Sequence, residues 1–304
     1  LHFYLKEKVE HVARPDMILY QTGYLLEWWG GKRAIEIKPK ACRDYVTWRM
    51  TQLGPRGRVS EGTARKDLET LRAALNFYHA EYTLSALPVV KLPQKPPRRE
   101  DWLSRSDAAR LIWAAWRNPD AQHLARFALI GLYTGTRPGA ILRVKWLPSI
   151  EGGWFDLDHR VLYRKGLTNR ETKKRQPPAP IHARLLPHLR RWQRLDAARG
   201  AVHVVNFKGA SVGKLRRSWR TACEAAALPE TVVPHSLRHT AATWQMQAGT
   251  DRWQAAGYLG MSVETLERYY GHHHPDFQSG AAAAQSPKLR PRNEGQERER
   301  KVNR

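Results

Sequence analysis

Residues 259–276 read LGMSVETLERYYGHHHPD: an apolar-periodic run, then two adjacent tyrosines, then three histidines. The stretch suits a metal site, an aromatic patch on a helix, or the seat of a nucleophile. At 100° per residue, Leu259, Val263, Leu266 and Tyr270 fall within one narrow arc, which predicts a helix with that stripe turned inward. Tyr269 lies about a quarter-turn away, on the flank. Tyr270 is therefore either a core aromatic or a nucleophile held at a protected site. His272, His273 and His274 are consecutive and cannot all face one ion. No Cys or second His cluster stands in register with them, so no metal is expected there.

The rest of the chain narrows the class. Its 304 residues leave room for two domains, and its formal net charge is +24. Basic charge spread over a chain with 12 Trp fits a folded protein that meets a polyanion, nucleic acid above all. The two cysteines, Cys42 and Cys223, are far apart and have no metal-ligand neighbours, which points to a reduced, cytoplasmic protein without a disulfide framework. No apolar run is long enough to span a membrane. The charged opening, LHFYLKEKVEHVARPD, lacks the apolar core of a secretion signal.

Residues 1–92 read as a helical domain. Helices are expected over 16–30 and 39–54, the second stopped by GPRG. A third begins at a Ser60 cap and carries the apolar stripe Leu68, Leu71, Leu75 and Tyr78. Arg65, Lys66 and Arg72 lie on its more exposed faces and are candidate phosphate contacts, a role that a solvated helix face resembles. Residues 93–100 form a basic, proline-rich linker whose Arg98 and Arg99 are further DNA-binding candidates. A second domain, 101–280, opens on a Ser-capped helix at SRSDAARLIWAAW. It turns to alternating strands over about 154–181 and returns to helices from 183 to about 270. Residues 281–304 read as a disordered basic tail.

Two boxes in the second domain carry charge suited to a phosphate. Arg137 follows a Gly turn in YTGTRPGAIL, where free N–H groups let it share an anion with the backbone; alone this also describes a surface arginine. In PHSLRHTAATW, His235 and Arg238 stand three apart at a helix start and so share a face. An imidazole beside a guanidinium suits a phosphate that gains charge during reaction, although a capping His beside a surface Arg has the same pattern. His239 reads as a core or supporting residue.

The boxes TGTRPGAIL, TKKRQPPAPI, HSLRHTAATW and LGMSVETLERYYGHHHPD, in this order and at these intervals, resemble the tyrosine recombinase family of phage and mobile-element integrases. The likeness covers about residues 100–280. The helical first domain resembles that family's core-site-binding domain more loosely. The resemblance implies a mainly α fold with a small antiparallel β-sheet in the catalytic domain, in a two-domain tyrosine recombinase architecture. It implies that Tyr270 is the nucleophile, that Arg137 and Arg238 hold the phosphate, that His235 assists in proton transfer or hydrogen-bonds the phosphate, and that Lys173 is the strand-borne lysine, with Lys174 as its competitor. It also implies cleavage and rejoining through a 3′-phosphotyrosine, with no metal or cofactor.

The implied partners are double-stranded DNA attachment sites, a homotetramer assembled on paired sites by exchange of a C-terminal segment, and accessory DNA-bending or directionality proteins. No membrane partner is expected. Two positions depart from the pattern. Met261 stands where the family has His or Trp, and Ala140 where an acidic residue is common. These departures admit a second reading, a catalytically silent DNA-binding protein on the same scaffold. A type IB topoisomerase, which shares the chemistry without a defined site, is a third.

Overall fold

Prolines and short polar caps set where most helices start, and the chain divides into two units, Leu1–Arg98 and Arg99–Arg304. The computed structural model describes residues 1–12, 14–54, 57–96, 101–168 and 175–284. Arg98, Arg99, Lys173, Lys174 and residues 285–304 of the expected tail lie outside the described residues.

The first unit holds α1 (His2–Lys8), α2 (Pro15–Trp29), α3 (Pro39–Thr51) and α4 (Glu61–Tyr82), with a short ladder of β1 (Leu53–Gly54) and β2 (Gly57–Arg58). Pro15 and Pro39 occupy first helical positions, where the missing N–H costs nothing. The core joins Leu25 and Trp29 of α2, Cys42 and Tyr45 of α3, and Leu68 and Leu71 of α4; Val90 closes it from the chain that follows. Trp29 stacks on Tyr45 with ring centroids 4.8 Å apart. At the centre is a fully buried ion pair. Arg49 Nε donates to Asp67 Oδ2 at 2.8 Å, and the Tyr45 hydroxyl donates to the same oxygen at 3.0 Å. The Arg49 guanidinium lies 3.4 Å from the Tyr24 ring centroid. Burial pulls the Asp67 pKa upward even with both donors in place.

The second unit begins at α5 (Arg105–Arg117). Ser104 Oγ accepts from the Asp107 N–H, and Asp107 Oδ2 accepts from the Ser104 N–H, a reciprocal cap. Next, α6 (Gln122–Thr134) is buried on nearly every face, from Leu124 and Phe127 to Ile130 and Leu132, so it forms the spine of the unit. A short α7 (Pro138–Ile141) follows its end.

A three-stranded antiparallel sheet comes next: β3 (Trp154–Asp156), β4 (Val161–Tyr163) and β5 (Ala179–Pro180), in that order. Trp154 pairs with Tyr163 across the first ladder, and Leu162 with Ala179 across the second. The remaining elements are α8 (Leu186–Ala197), a hairpin of β6 (Asn206–Phe207) and β7 (Ala210–Ser211), α9 (Arg216–Ala225), α10 (Ser236–Gln247), α11 (Arg252–Leu259), α12 (Val263–Tyr270) and α13 (Ser279–Ala284). Asp196 of α8 stitches several of these together. It accepts from Arg126 of α6 at 2.6 Å, Trp146 Nε1 at 3.0 Å and Asn206 Nδ2 at 2.9 Å. Among the described residues no helix is long and apolar enough to cross a membrane.

The mainly helical fold with small antiparallel sheets is the one the sequence predicts. Three local readings need correction. The helices expected from 183 to about 270 are interrupted by the β6–β7 hairpin, whose two-residue strands are too short to leave a period. The helix expected through Leu259–Tyr270 is two helices, because Gly260 caps α11 with a left-handed conformation (φ 66°) and Ser262 caps α12 through the Thr265 N–H. α13 covers residues 279–284, so it enters the stretch that reads as tail.

Removing one partner of a buried pair leaves the other charge without compensation. Asp67→Ala in the full chain should therefore cost about 3–5 kcal/mol of stability. Denaturant unfolding checks this, and a loss no larger than a surface substitution's would show the pair to be dispensable.

Candidate active site

Helix C-termini leave carbonyl oxygens without intrahelical partners, and the helix dipole makes those ends attractive to cations. In this chain two such ends, those of α6 and α11, are turned onto one arginine. Arg238, on the first turn of α10, donates through Nη1 to Gly135 O at 2.7 Å and Leu259 O at 2.6 Å, and through Nη2 to Gly260 O at 3.4 Å. Gly135 ends α6 in the left-handed conformation (φ 60°), and a side chain there would run into Leu259 Cδ2. At Gly260 an added Cβ would lie 2.8 Å from Pro177 Cδ and 2.9 Å from Arg175 O. Both positions need glycine, for conformation and for space.

The Gly135 turn delivers Arg137 to the same place. Arg137 caps α7 and donates through Nη1 to Arg175 O at 2.8 Å and through Nη2 to Gly260 O at 3.5 Å. The two guanidiniums thus share one carbonyl. Burial lowers the Arg137 pKa. For Arg238, burial and then the neighbouring Arg137 and Arg164 lower it to about 9, with Tyr270 acting in the opposite sense. Among the described residues none of the three arginines pairs with a carboxylate; carbonyls and hydroxyls hold them all.

Arg164 is the functional neighbour that the sequence reading missed. It follows β4 and is buried. Nε donates to Thr136 Oγ1 at 2.9 Å, Nη2 to Thr134 O at 2.7 Å, and Nη1 to Tyr258 O at 2.7 Å and Pro177 O at 3.1 Å. It ties the end of α6, the turn that presents Arg137, α11 and the segment before β5. Burial lowers its pKa to about 10. One signal was available: Arg164 has the parity of the fully buried Leu162 on an alternating strand, which places a basic residue on the core face.

His235, Arg238 and Tyr270 are brought together, but through an unexpected residue. The Tyr270 hydroxyl lies 2.7 Å from His239 Nδ1. The His239 ring meets the His235 ring edge-on at 5.0 Å. His239 is therefore bonded to the candidate nucleophile and is no mere core residue. His235 as a residue is exposed. Even so, the protein packed around it, together with the charges of His239, Arg238 and Arg137, lowers its pKa to about 4. Tyr270 is buried at 8% exposure and Leu266 fully, so within α12 their four-residue spacing orients the inner face. Tyr269 is half-buried on the flank.

Met261 packs with the α10–α12 core beside the site. Ala140 is buried in α7 and offers Arg137 nothing polar; the carbonyls of Arg175 and Gly260 hold that side chain instead. The three histidines form a tight turn in which His273 packs edge-on against Trp102 and His274 Nδ1 accepts the Asp276 N–H. Among the described residues no group of His, Cys, Asp or Glu is arranged to hold a metal.

The sequence profile of the phage integrase family matches residues 101–276, more than half of the chain. The chain belongs to the phage integrase family. It is a tyrosine recombinase of the DNA strand-transferring class. No curated protein matches it in sequence. Two solved structures place this integrase by fold. One is an integrase of the transposon Tn1549 in complex with transposon right end DNA. Its TM-score is 0.66 at 16% identity, over 93% of this chain and 98% of that one. The other is a lambda integrase dimer bound to a COC′ core site. Its TM-score is 0.65 at 15% identity, over 89% of this chain and 77% of that one.

The His235 pKa predicts a measurable sign. The folded value near 4 lies below the ordinary 6.5, so the unfolded chain binds the extra proton first. The contribution of His235 to stability is full above pH 6.5 and is lost as pH falls toward 4. Histidine NMR of the DNA-free integrase should find His235 neutral at pH 6. A midpoint near 6.5 would contradict the assigned environment.

Proposed function

We propose that Tyr270, Arg137, His235 and Arg238, with Lys173 or its competitor Lys174, form the strand-cleaving centre of this integrase. The convergence of Arg137 and Arg238 on the Gly260 carbonyl, with no carboxylate paired to either among the described residues, carries the reading. A phosphodiester is the anion that such a pair fits. Each guanidinium has N–H groups beyond those used on carbonyls, and two of them can take the non-bridging oxygens of one phosphate.

The Tyr270 oxygen attacks phosphorus in line with the 5′ oxygen, forming a 3′-phosphotyrosine and releasing a 5′-hydroxyl. The arginines stabilise the charge that grows on the phosphoryl oxygens, from positions already paid for in folding. His235, neutral at working pH, hydrogen-bonds the phosphate. Lys173, or Lys174, protonates the leaving oxygen. The phosphotyrosine conserves the bond energy, so a partner strand reseals it without ATP.

The DNA partner is a double-stranded attachment site. The Tn1549 and lambda integrase structures are both complexes with DNA, which supports a duplex partner here. Lys66 and Arg72 on α4 are exposed and suited to phosphate contacts. Arg65 is engaged internally, with Glu69 at 3.0 Å and with the Pro93 carbonyl. It would have to release those partners to bind DNA.

Recombination exchanges four strands, so a homotetramer on paired sites is the working assembly, closed by cyclic exchange of the stretch after Tyr270, HPDFQSGAAAAQ. Phe277, 44% exposed, is the apolar anchor available on that segment. Accessory DNA-bending or directionality proteins complete the set. A bacterial or phage origin and a cytoplasmic place of action fit this role.

Tyr270→Phe should reduce the covalent protein–DNA adduct on nicked substrate below detection while binding persists, and Tyr269→Phe should retain it. Arg238→Ala should lose about 10²–10³-fold in cleavage rate, as removal of one preorganised donor does. Binding without any adduct in the wild-type chain would favour the silent DNA-binding protein; relaxation of supercoils without a defined site would favour a topoisomerase.

Removing the residues after Gly271 should leave single-site binding intact and impair synapsis. Sedimentation of the shortened protein with paired sites is decisive, and a normal tetrameric complex would rule out the exchanged segment.

A further inference from the structure

We propose that His239 is the proton acceptor for Tyr270: its Nδ1, 2.7 Å from the phenolic oxygen, takes the hydroxyl proton as that oxygen bonds to phosphorus. The inference rests on the strand-cleaving role proposed for Tyr270. It assigns the proton at the nucleophile to a residue outside the arginine–histidine–lysine set.

The geometry separates the two histidines. His235 and His239 are four residues apart, so they share a face across one turn. The Tyr270 hydroxyl is hydrogen-bonded to His239, whose ring meets His235 edge-on. His235 is thus placed for the phosphate, and His239 for the nucleophile. A buried tyrosine hydroxyl usually finds some partner, so the hydrogen bond alone is compatible with packing. What adds chemistry is the nature of the partner and its setting. The partner is a ring nitrogen, which with the proton on Nε2 is a base as well as a hydrogen-bond acceptor. The Tyr270 phenol also acts electrostatically on the Arg238 guanidinium, raising its pKa, so the two groups lie within range of each other.

The step balances as follows. The Oη–P bond forms as the P–O5′ bond breaks. The Oη–H proton passes to His239 Nδ1, and a separate proton reaches the 5′ oxygen from the lysine. Rejoining reverses both transfers, with Nδ1 returning its proton to the departing Tyr270 oxygen. An imidazole is a weaker base than a phenolate, so transfer accompanies attack and does not precede it. The role requires the tautomer with its proton on Nε2.

The test measures single-turnover adduct formation by the full chain. Its substrate is a nicked duplex selected as a covalent adduct of the wild-type protein from a randomised pool. If the wild-type chain traps no duplex, the strand-cleaving reading itself falls, and this proposal with it. Given a substrate, His239→Ala should slow adduct formation by about 10²–10⁴-fold, and added imidazole should restore at least about tenfold.

A 5′-bridging phosphorothiolate, whose sulfur leaves without a proton, should rescue whichever of Lys173→Ala and Lys174→Ala is slow, but not His239→Ala. His239→Asn supplies an oxygen acceptor for the hydroxyl but no base, so it should remain slow while showing a native circular dichroism spectrum and DNA affinity. A near-wild-type rate in His239→Ala or His239→Asn overturns the proposal. So does failure of imidazole rescue, or recovery of His239→Ala on the sulfur substrate.

Discussion

Two like charges, Arg137 and Arg238, are held against one carbonyl oxygen with no carboxylate among the described residues to relieve them. Much of the second unit can be understood as the means of sustaining that arrangement. Helix ends supply oxygen dipoles where a conventional ion pair would supply a negative charge. Dipoles fix a guanidinium in place without cancelling its charge, so the field is left for a ligand. A carboxylate in the same position would have competed with the phosphate for the same N–H groups.

The helices and the sheet converge on this point from different directions. α6, buried on nearly every face, brings its terminal carbonyls to the site and stops at Gly135. α11 stops at Gly260 and presents the opposing pair. Between them Arg164 binds both helix ends and the segment before β5, so a third positive charge serves as a structural pin. Burial lowers the pKa of all three arginines, yet a guanidinium begins so far above neutrality that each stays charged at working pH. At the same site burial lowers the His235 pKa to about 4, so its ring is neutral at working pH.

Much of this was legible in the sequence, and the remainder had physical reasons to stay hidden. Arg137, His235, Arg238 and Tyr270 are recognisable because each sits in a box whose glycines, prolines and spacing are themselves constrained. Arg164 has no such frame; it is one basic residue among 52, and only strand parity marks it. His239 was visible but ambiguous, since a histidine one turn past a cap is as suited to a core as to a site. Its role depends on α12, which is remote in sequence. Tyr270 was correctly placed on the inner face, although the helical phase had been carried through Gly260, where the helix in fact stops. The inference survived because Leu266 and Tyr270 lie within one unbroken helix. The β6–β7 hairpin left no trace because a pair of two-residue strands has no period to detect.

The carbonyl clamp also bears on how such a site changes over generations. A carboxylate that holds an arginine can be lost in one codon; a backbone carbonyl cannot, because every amino acid carries one. Substitutions at Leu259 or Arg175 alter a side chain and leave the oxygen that faces the guanidinium. Drift in this clamp is therefore confined to positions that set where the backbone runs, Gly135 and Gly260 first among them. Ala140, which offers Arg137 nothing polar, takes no part in the clamp and can vary without moving it.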